Sequence, residues 1–226
     1  MSIPFRLRMT AALTGLLLAL PARSADPAAA DPHAAHRAAA AGAARPGAAQ
    51  AAPAAASVTL EELPLLDQDG ATRLFRSEVI GHRLVVMDFI FTTCTTICPV
   101  LSSRMARLQE RLGDRLGREV FLVSVSVDPA RDTPPRLLAY AKKWKASPGW
   151  SFLTGSRSDV TAVLKGVGAY TPSITDHPPM FLVGDGKAGQ WVRLNGFPEV
   201  EQLLKQVDAL ASARSQKTAA SSGGRP

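Results

Sequence analysis

Leu84-Val85-Val86-Met87-Asp88-Phe89-Ile90-Phe91-Thr92-Thr93-Cys94-Thr95-Thr96-Ile97-Cys98-Pro99 runs from an almost unbroken apolar segment into the only two cysteines of a 226-residue chain. Leu84 to Phe91 has the composition of a strand covered on both faces. Val100 to Leu112 repeats apolar residues at helical spacing and stops at Gly113. The cysteines therefore fall on a strand-to-helix turn. A helix starting near Cys98 offers unpaired backbone N–H groups and the positive end of its dipole, and both favour thiolate over thiol. Cys94 and Cys98 are spaced so that one helical turn can point both sulfurs the same way. Such a pair either closes a disulfide or grips one soft metal ion. A purely structural disulfide is the plainer alternative in an exported chain, but closing so short a loop stabilises little.

Outward from this stretch, Leu60 to Leu66 and Thr72 to Phe75 read as short strands around the turn Asp67-Gln68-Asp69-Gly70. Val120 to Val127 is a second buried strand. Asp128-Pro129-Ala130-Arg131-Asp132-Thr133-Pro134 then supplies helix-start residues, with Asp132 or Thr133 as N-cap. Pro135 to Lys145 and Asp159 to Gly166 read as helices, Trp150 to Leu153 and Met180 to Val183 as strands. Trp191 to Leu194 pairs back as a strand, and Val200 to Leu210 closes the domain as a helix. Strands alternating with helices make the class α/β. A redox-type cysteine pair leading into the first long helix narrows this to a thioredoxin-like fold, a mixed central sheet flanked by helices, over one domain at 58–211. Gly184-Asp185-Gly186-Lys187-Ala188-Gly189 fits a dinucleotide-binding pattern, but Gln190 to Leu194 alternates like a strand. With no helix N-terminus to hold a pyrophosphate, the pattern reads as a hairpin turn.

The ends differ in kind from this domain. Met1 to Ser24 has Arg6 and Arg8, a short apolar run from Ala11 to Leu20 and small residues near Ser24, the layout of a cleaved secretory signal. Residues 25–57 are nearly all Ala, Pro, Gly and small polar side chains and read as a disordered linker; its His33 and His36 form at best a weak metal scavenger. Residues 212–226 read as a disordered tail. The signal predicts a periplasmic, oxidising location, with membrane contact only through an uncleaved N-terminus. Loss of Met1 to Ser24 removes three arginines and no acid, which lowers the formal charge from +7 to +4. Arg104, Arg107 and Arg111 read as a solvated helix face. No basic run is interleaved with aromatics, so nucleic acid is excluded as a partner.

A third candidate ligand is His177, in the loop from Tyr170 to Pro179 that leads into the strand at Met180. In a thioredoxin-like sheet this turn is expected across from the cysteines. Two thiolates and an imidazole suit copper, with thiolate selecting the soft Cu(I) and imidazole helping to hold Cu(II). The Cys94-x-x-x-Cys98-Pro99 motif, the run Val125-Ser126-Val127-Asp128-Pro129 continuing to Arg131-Asp132-Thr133-Pro134, and Asp176-His177 before Phe181-Leu182-Val183 together resemble the SCO/SenC family of copper chaperones. The resemblance covers Leu60 to about Leu210. It implies copper ligands Cys94, Cys98 and His177, and a partner that is the copper-receiving subunit of cytochrome c oxidase or another periplasmic copper or thiol protein.

Two departures stand out. Thr95-Thr96 replaces the Pro-Asp often found between the cysteines of that family, and Pro178-Pro179-Met180 after His177 is one residue shorter, which bears on how far the imidazole reaches. The alternative reading is a periplasmic thiol-disulfide oxidoreductase. Asp88, a carboxylate inside an apolar strand six residues before Cys94, resembles the buried aspartate of thioredoxins and is a candidate for proton transfer. Its plainer reading is a solvated or hydrogen-bonded carboxylate at the sheet edge.

Overall fold

The computed structural model describes residues 52–222, so the expectations for the signal, for most of the linker and for His33 and His36 lie outside the described residues. Eight strands form one mixed sheet: β1 (Ala54–Ala55), β2 (Pro64–Asp67), β3 (Thr72–Leu74), β4 (Leu84–Ile90), β5 (Val120–Ser126), β6 (Trp150–Thr154), β7 (Met180–Asp185) and β8 (Gln190–Asn195). Their spatial order is β1-β8-β7-β4-β5-β6-β2-β3. Neighbours β4, β5 and β6 run parallel, while β7 lies antiparallel to β4. Four helices accompany them: α1 (Ile97–Leu112), α2 (Pro134–Lys143), α3 (Arg157–Gly166) and α4 (Val200–Ser222).

All seven residues of β4 are buried, as the apolar run requires of a strand with helices on both sides. Period-two alternation sends Leu84, Val86 and Ile90 into a core with α1, α2 and α4, and Val85, Met87 and Phe89 into a second core with α3. Cys94 and Cys98 belong to the first core. Helices α1 and α4 are also joined by ion pairs: Arg104 grips both oxygens of Glu199 at 2.6 and 2.8 Å, and Arg111 meets Glu201 at 2.6 Å. Two of the arginines expected on a solvated face are thus engaged with a neighbouring helix.

Several boundaries move, each for a local reason. Leu60 to Leu63 stays outside the strand, and after Leu74 the chain turns into a π-helical segment, Phe75–Ile80, that buries Phe75, Val79 and Ile80. Helix α1 starts at Ile97, ahead of the apolar repeat that announces it. Within the expected linker, Ala54 and Ala55 pair with Arg193 and Val192 of β8. Backbone groups alone make that ladder, so a segment without large side chains can join an open sheet edge. The expected disordered tail is helical as far as Ser222. Its alanines favour helix, and Arg214 is fixed on the buried carboxylate of Asp185, with Nε 3.0 Å from Oδ2. The glycine-rich run after Val183 is the β7–β8 hairpin. A Cβ at Gly184 would meet the Trp191 ring at 2.1 Å, so that glycine serves packing. Among the described residues no helix is long and apolar enough to cross a membrane.

Candidate metal and thiol centre

The C-terminal ends of the parallel strands β4 and β5 build the site, the usual position for function in an open α/β sheet. From β4 the chain turns through Phe91, whose carbonyl accepts the Cys94 N–H at 3.1 Å. Thr96 holds the N-cap position of α1 but makes no side-chain cap bond. The Cys94 sulfur takes that place and accepts the Cys98 N–H at 3.3 Å. This satisfies an orphan amide of the helix start and places negative charge where the helix dipole favours it.

The two thiols are unequal. Burial opposes the Cys94 thiolate, but hydrogen bonds from the Cys98 thiol, the Cys98 and Thr96 backbone and the Thr96 hydroxyl outweigh it and hold Cys94 below an ordinary cysteine. Burial pushes Cys98 strongly upward, and its hydrogen bond to Cys94 adds to the rise. Cys94 is 9% exposed and Cys98 1%, so the more acidic sulfur is also the more accessible. Both are free thiols.

Asp132 fixes the loop that carries them. Its carboxylate accepts the Thr92 hydroxyl at 2.6 Å, the Thr92 N–H at 3.1 and 3.2 Å, and the Ser126 hydroxyl at 2.6 Å. The residue is 1% exposed. The sequence suggests Asp132 or Thr133 as helix cap; Thr133 stands at the N-cap of α2 without a side-chain bond, and Asp132 turns to the cysteine loop. Thr92 and Ser126 are neighbours of the cysteine loop whose contacts with Asp132 the sequence does not show, although Ser126 falls within one of the runs that carry the resemblance. Their shared trace is polarity beside otherwise apolar strand ends.

Asp88 is fully buried on the cysteine side of the sheet, not at an edge. It sits opposite Ser124 in the parallel register, and the Ser124 hydroxyl donates to Oδ1 at 2.5 Å while accepting from Trp150 Nε1 at 2.9 Å. Oδ2 has no partner. Desolvation raises this carboxyl to about 7, with the Ser124 bond pulling the other way. Nearby in the same core, Tyr140 and Ser102 pair through their hydroxyls at 2.8 Å.

His177 follows a single 3-10 turn, Ile174–Asp176, and is 3% exposed. Its ring is tilted against Phe89, centroids 5.8 Å apart, and Nε2 has no hydrogen-bond partner among the described residues. Burial lowers its pKa to about 4, so the imidazole is neutral at pH 7. Phe89 belongs to the core opposite the one that holds the cysteines. Among the described residues, no group of three His, Cys, Asp or Glu side chains is gathered as a metal cage. The expected meeting of His177 with the cysteines is therefore not formed here: its loop reaches the same end of the sheet, where β7 begins beside the end of β4, but the ring turns to an aromatic neighbour. The donor set itself suits copper, with one thiol just before the helix and the other in its first turn, and a neutral imidazole whose Nε2 is unpartnered among the described residues on a neighbouring loop.

The sequence model described as SCO1/SenC matches residues 52–208. A Stutzerimonas stutzeri protein provisionally named as copper-binding is 34% identical over 109 residues, which cover 48% of this chain and 52% of that relative. The chain thus spans about half the length of that curated relative. A SCO1/SenC family lipoprotein of Bacillus anthracis superposes with a TM-score of 0.58 and 28% identity, covering 72% of this chain and 99% of the other. BsSco, a Sco-family cytochrome c oxidase assembly protein described as having a disulfide switch, superposes with a TM-score of 0.59 and 26% identity, covering 69% and 95%.

Proposed function

The chain belongs to the SCO1/SenC family, and from that premise we propose that it is an exported copper chaperone that carries one ion on Cys94, Cys98 and His177 for the copper centre of cytochrome c oxidase. The observation that carries this reading is the cysteine pair at the start of α1, with Cys94 Sγ held at the Cys98 amide. Two sulfurs one turn apart at a helix N-terminus can hold Cu(I) as thiolates. His177 is the third donor, and to join them its ring must leave Phe89. Its low basicity means that no proton has to be expelled first at neutral pH. The periplasm is the matching compartment, and the lipoprotein standing of the Bacillus anthracis neighbour supports an exported setting.

Anaerobic titration of the reduced chain with Cu(I), in competition with a strong Cu(I) chelator, tests the proposal. One tightly held copper is expected, nearly abolished in Cys94→Ser and in Cys98→Ser. His177→Ala should weaken Cu(II) more than Cu(I), because two thiolates suffice for the softer ion. A parent chain that loses copper to the chelator no more slowly than Cys94→Ser overturns the assignment.

The unequal thiols favour a second reading, disulfide exchange. The Cys94 thiolate attacks a partner disulfide and expels one partner thiolate; Cys98 then gives up its proton and attacks the mixed disulfide, leaving Cys94–Cys98 oxidised and the partner reduced. Asp88, near neutrality in its pKa, would take that proton. Asp88→Asn should then slow exchange at pH 7 and leave copper affinity largely intact. Equal exchange rates in the two proteins would make Asp88 a structural residue.

A further inference from the structure

Beside the loop that carries His177, against the turn after β5 and helix α3, lies a cavity of about 180 Å³. One wall is Val127 and the turn Asp128 to Ala130, which leads to Asp132 and so to the cysteine loop; the other is Ala169 to Ile174, which leads to His177. Val127, Val160, Leu164, Ala169 and Ile174 give part of its wall an apolar surface, and Asp128, Arg157, Thr161 and Thr171 make the rest polar. At roughly 30 Å³ per water, the space equals about six waters, room enough for one apolar side chain to enter.

The rim is polar and cationic. Arg157, in the first turn of α3, has no hydrogen-bond or ion-pair partner among the described residues. Arg131 stands beside Asp128 at 3.0 Å, and Lys165 lies over the exposed Tyr170 ring at 5.1 Å. The one carboxylate in the lining, Asp128, is 5% exposed and already taken by Arg131. Asp159 is held by Ser156, and Asp176 lies farther along the loop, outside the lining. A hole with an apolar patch in its wall and cations around it, one of them unpaired among the described residues, is complementary to an apolar side chain flanked by carboxylates.

We propose that this cavity anchors an acidic segment of the protein with which the site exchanges its cargo, one apolar side chain entering the hole and an adjacent carboxylate pairing with Arg157. The anchor rests on the copper reading only for the identity of that partner. It explains how a partner is held beside the His177 loop while the segment that carries the cysteines, Thr92 to Ser103, offers no charged side chain to steer it. Steering then falls to the cationic rim, and binding weakens as salt is added.

The test uses isotope-labelled full-length mature chain and two capped pentapeptides, Glu-Asp-Leu-Asp-Glu and Lys-Lys-Leu-Lys-Lys, read by amide chemical shifts. The acidic peptide should shift Val127, Ala130 and Ala169 to Ile174, and the basic one should not. Arg157→Glu should raise the acidic peptide's apparent Kd at least tenfold, and Ala169→Phe, which fills the hole, should do the same. Arg157→Glu, on an exposed position, guards against a misfolded Ala169→Phe. Equal shifts from both peptides, shifts elsewhere only, or an Arg157→Glu chain that binds as the parent does would overturn the anchor. Cu(I) loading by the same variants should match the parent, so a failure of copper binding in the parent counts against the chaperone reading and leaves the peptide result to stand on its own.

Discussion

Cys94 and Cys98 are joined by one hydrogen bond but differ in chemistry, because the Cys94 sulfur sits at the mouth of the helix while Cys98 is buried in its first turn. Alkylation of the reduced chain should modify Cys94 first and leave Cys98 slow even at alkaline pH, as peptide mapping against time would show; equal rates would mean that the helix start does not differentiate them. Asp88 and His177 make a second unequal pair. Between pH 6.5 and about 4 the unfolded chain takes a proton on His177 that the folded chain refuses, so this group removes stability as pH falls. Between pH 3.8 and about 7 the folded chain keeps a proton on Asp88 that the unfolded chain releases, so this group removes stability as pH rises. Relative to the parent, Asp88→Asn should therefore gain stability with rising pH up to about 7, by a few kcal/mol in all. His177→Ala should gain as pH falls below 6.5. Urea unfolding at a series of pH values should show these opposite tilts, and parallel curves for all three proteins would refute both assignments.

At the scale of elements, the loop between β4 and α1 depends on a residue from the far side of β5. Asp132→Ala leaves the Thr92 amide and two hydroxyls without their buried acceptor. A loss of about 3 kcal/mol is expected, together with weaker Cu(I) affinity because the loop no longer holds the sulfurs in place. Asp132→Asn should recover part of both, and an unchanged melting temperature in Asp132→Ala would show the clamp to be idle. This clamp also marks what the sequence can reveal. Leu84 to Phe91 and the repeat of α1 are legible because burial on both faces and helical spacing leave a mark on composition, and the cysteine turn follows from the junction. Asp132 looks like a helix cap because capping is local, whereas its true partners are Thr92 in the loop after β4 and Ser126 at the end of β5. The same applies to His177: its place in the loop can be read from order along the chain, but its choice of Phe89 over the cysteines depends on packing that no spacing records. The helical tail escaped for a related reason, since Arg214 has no visible purpose until Asp185 is folded beneath it.

For the whole molecule, α4 acts as a brace across the sheet. Arg214→Ala strips Asp185 of its cation and leaves it only the Lys187 and Ala188 amides, at 2.8 and 2.9 Å. A cost of about 3 kcal/mol and a lower melting temperature are expected. Copper should act in the opposite sense by binding the folded chain alone: at a free Cu(I) level one hundred times Kd, stability should rise by about 2.7 kcal/mol and fall back when a chelator is added. A melting temperature indifferent to Cu(I) would argue against a preformed pair of thiols. The pairing of Ala54 and Ala55 with β8 has a consequence in time. The outer strand at one side of the sheet comes from the start of the described chain and its partner from near the end, and β2 likewise waits for β6. Such distant pairings close slowly, so the cysteines meet solvent before the sheet can shelter them. In an oxidising medium the nascent thiols are therefore open to pairing during folding, and a newly made molecule should need a reductant before it can take up its first ion.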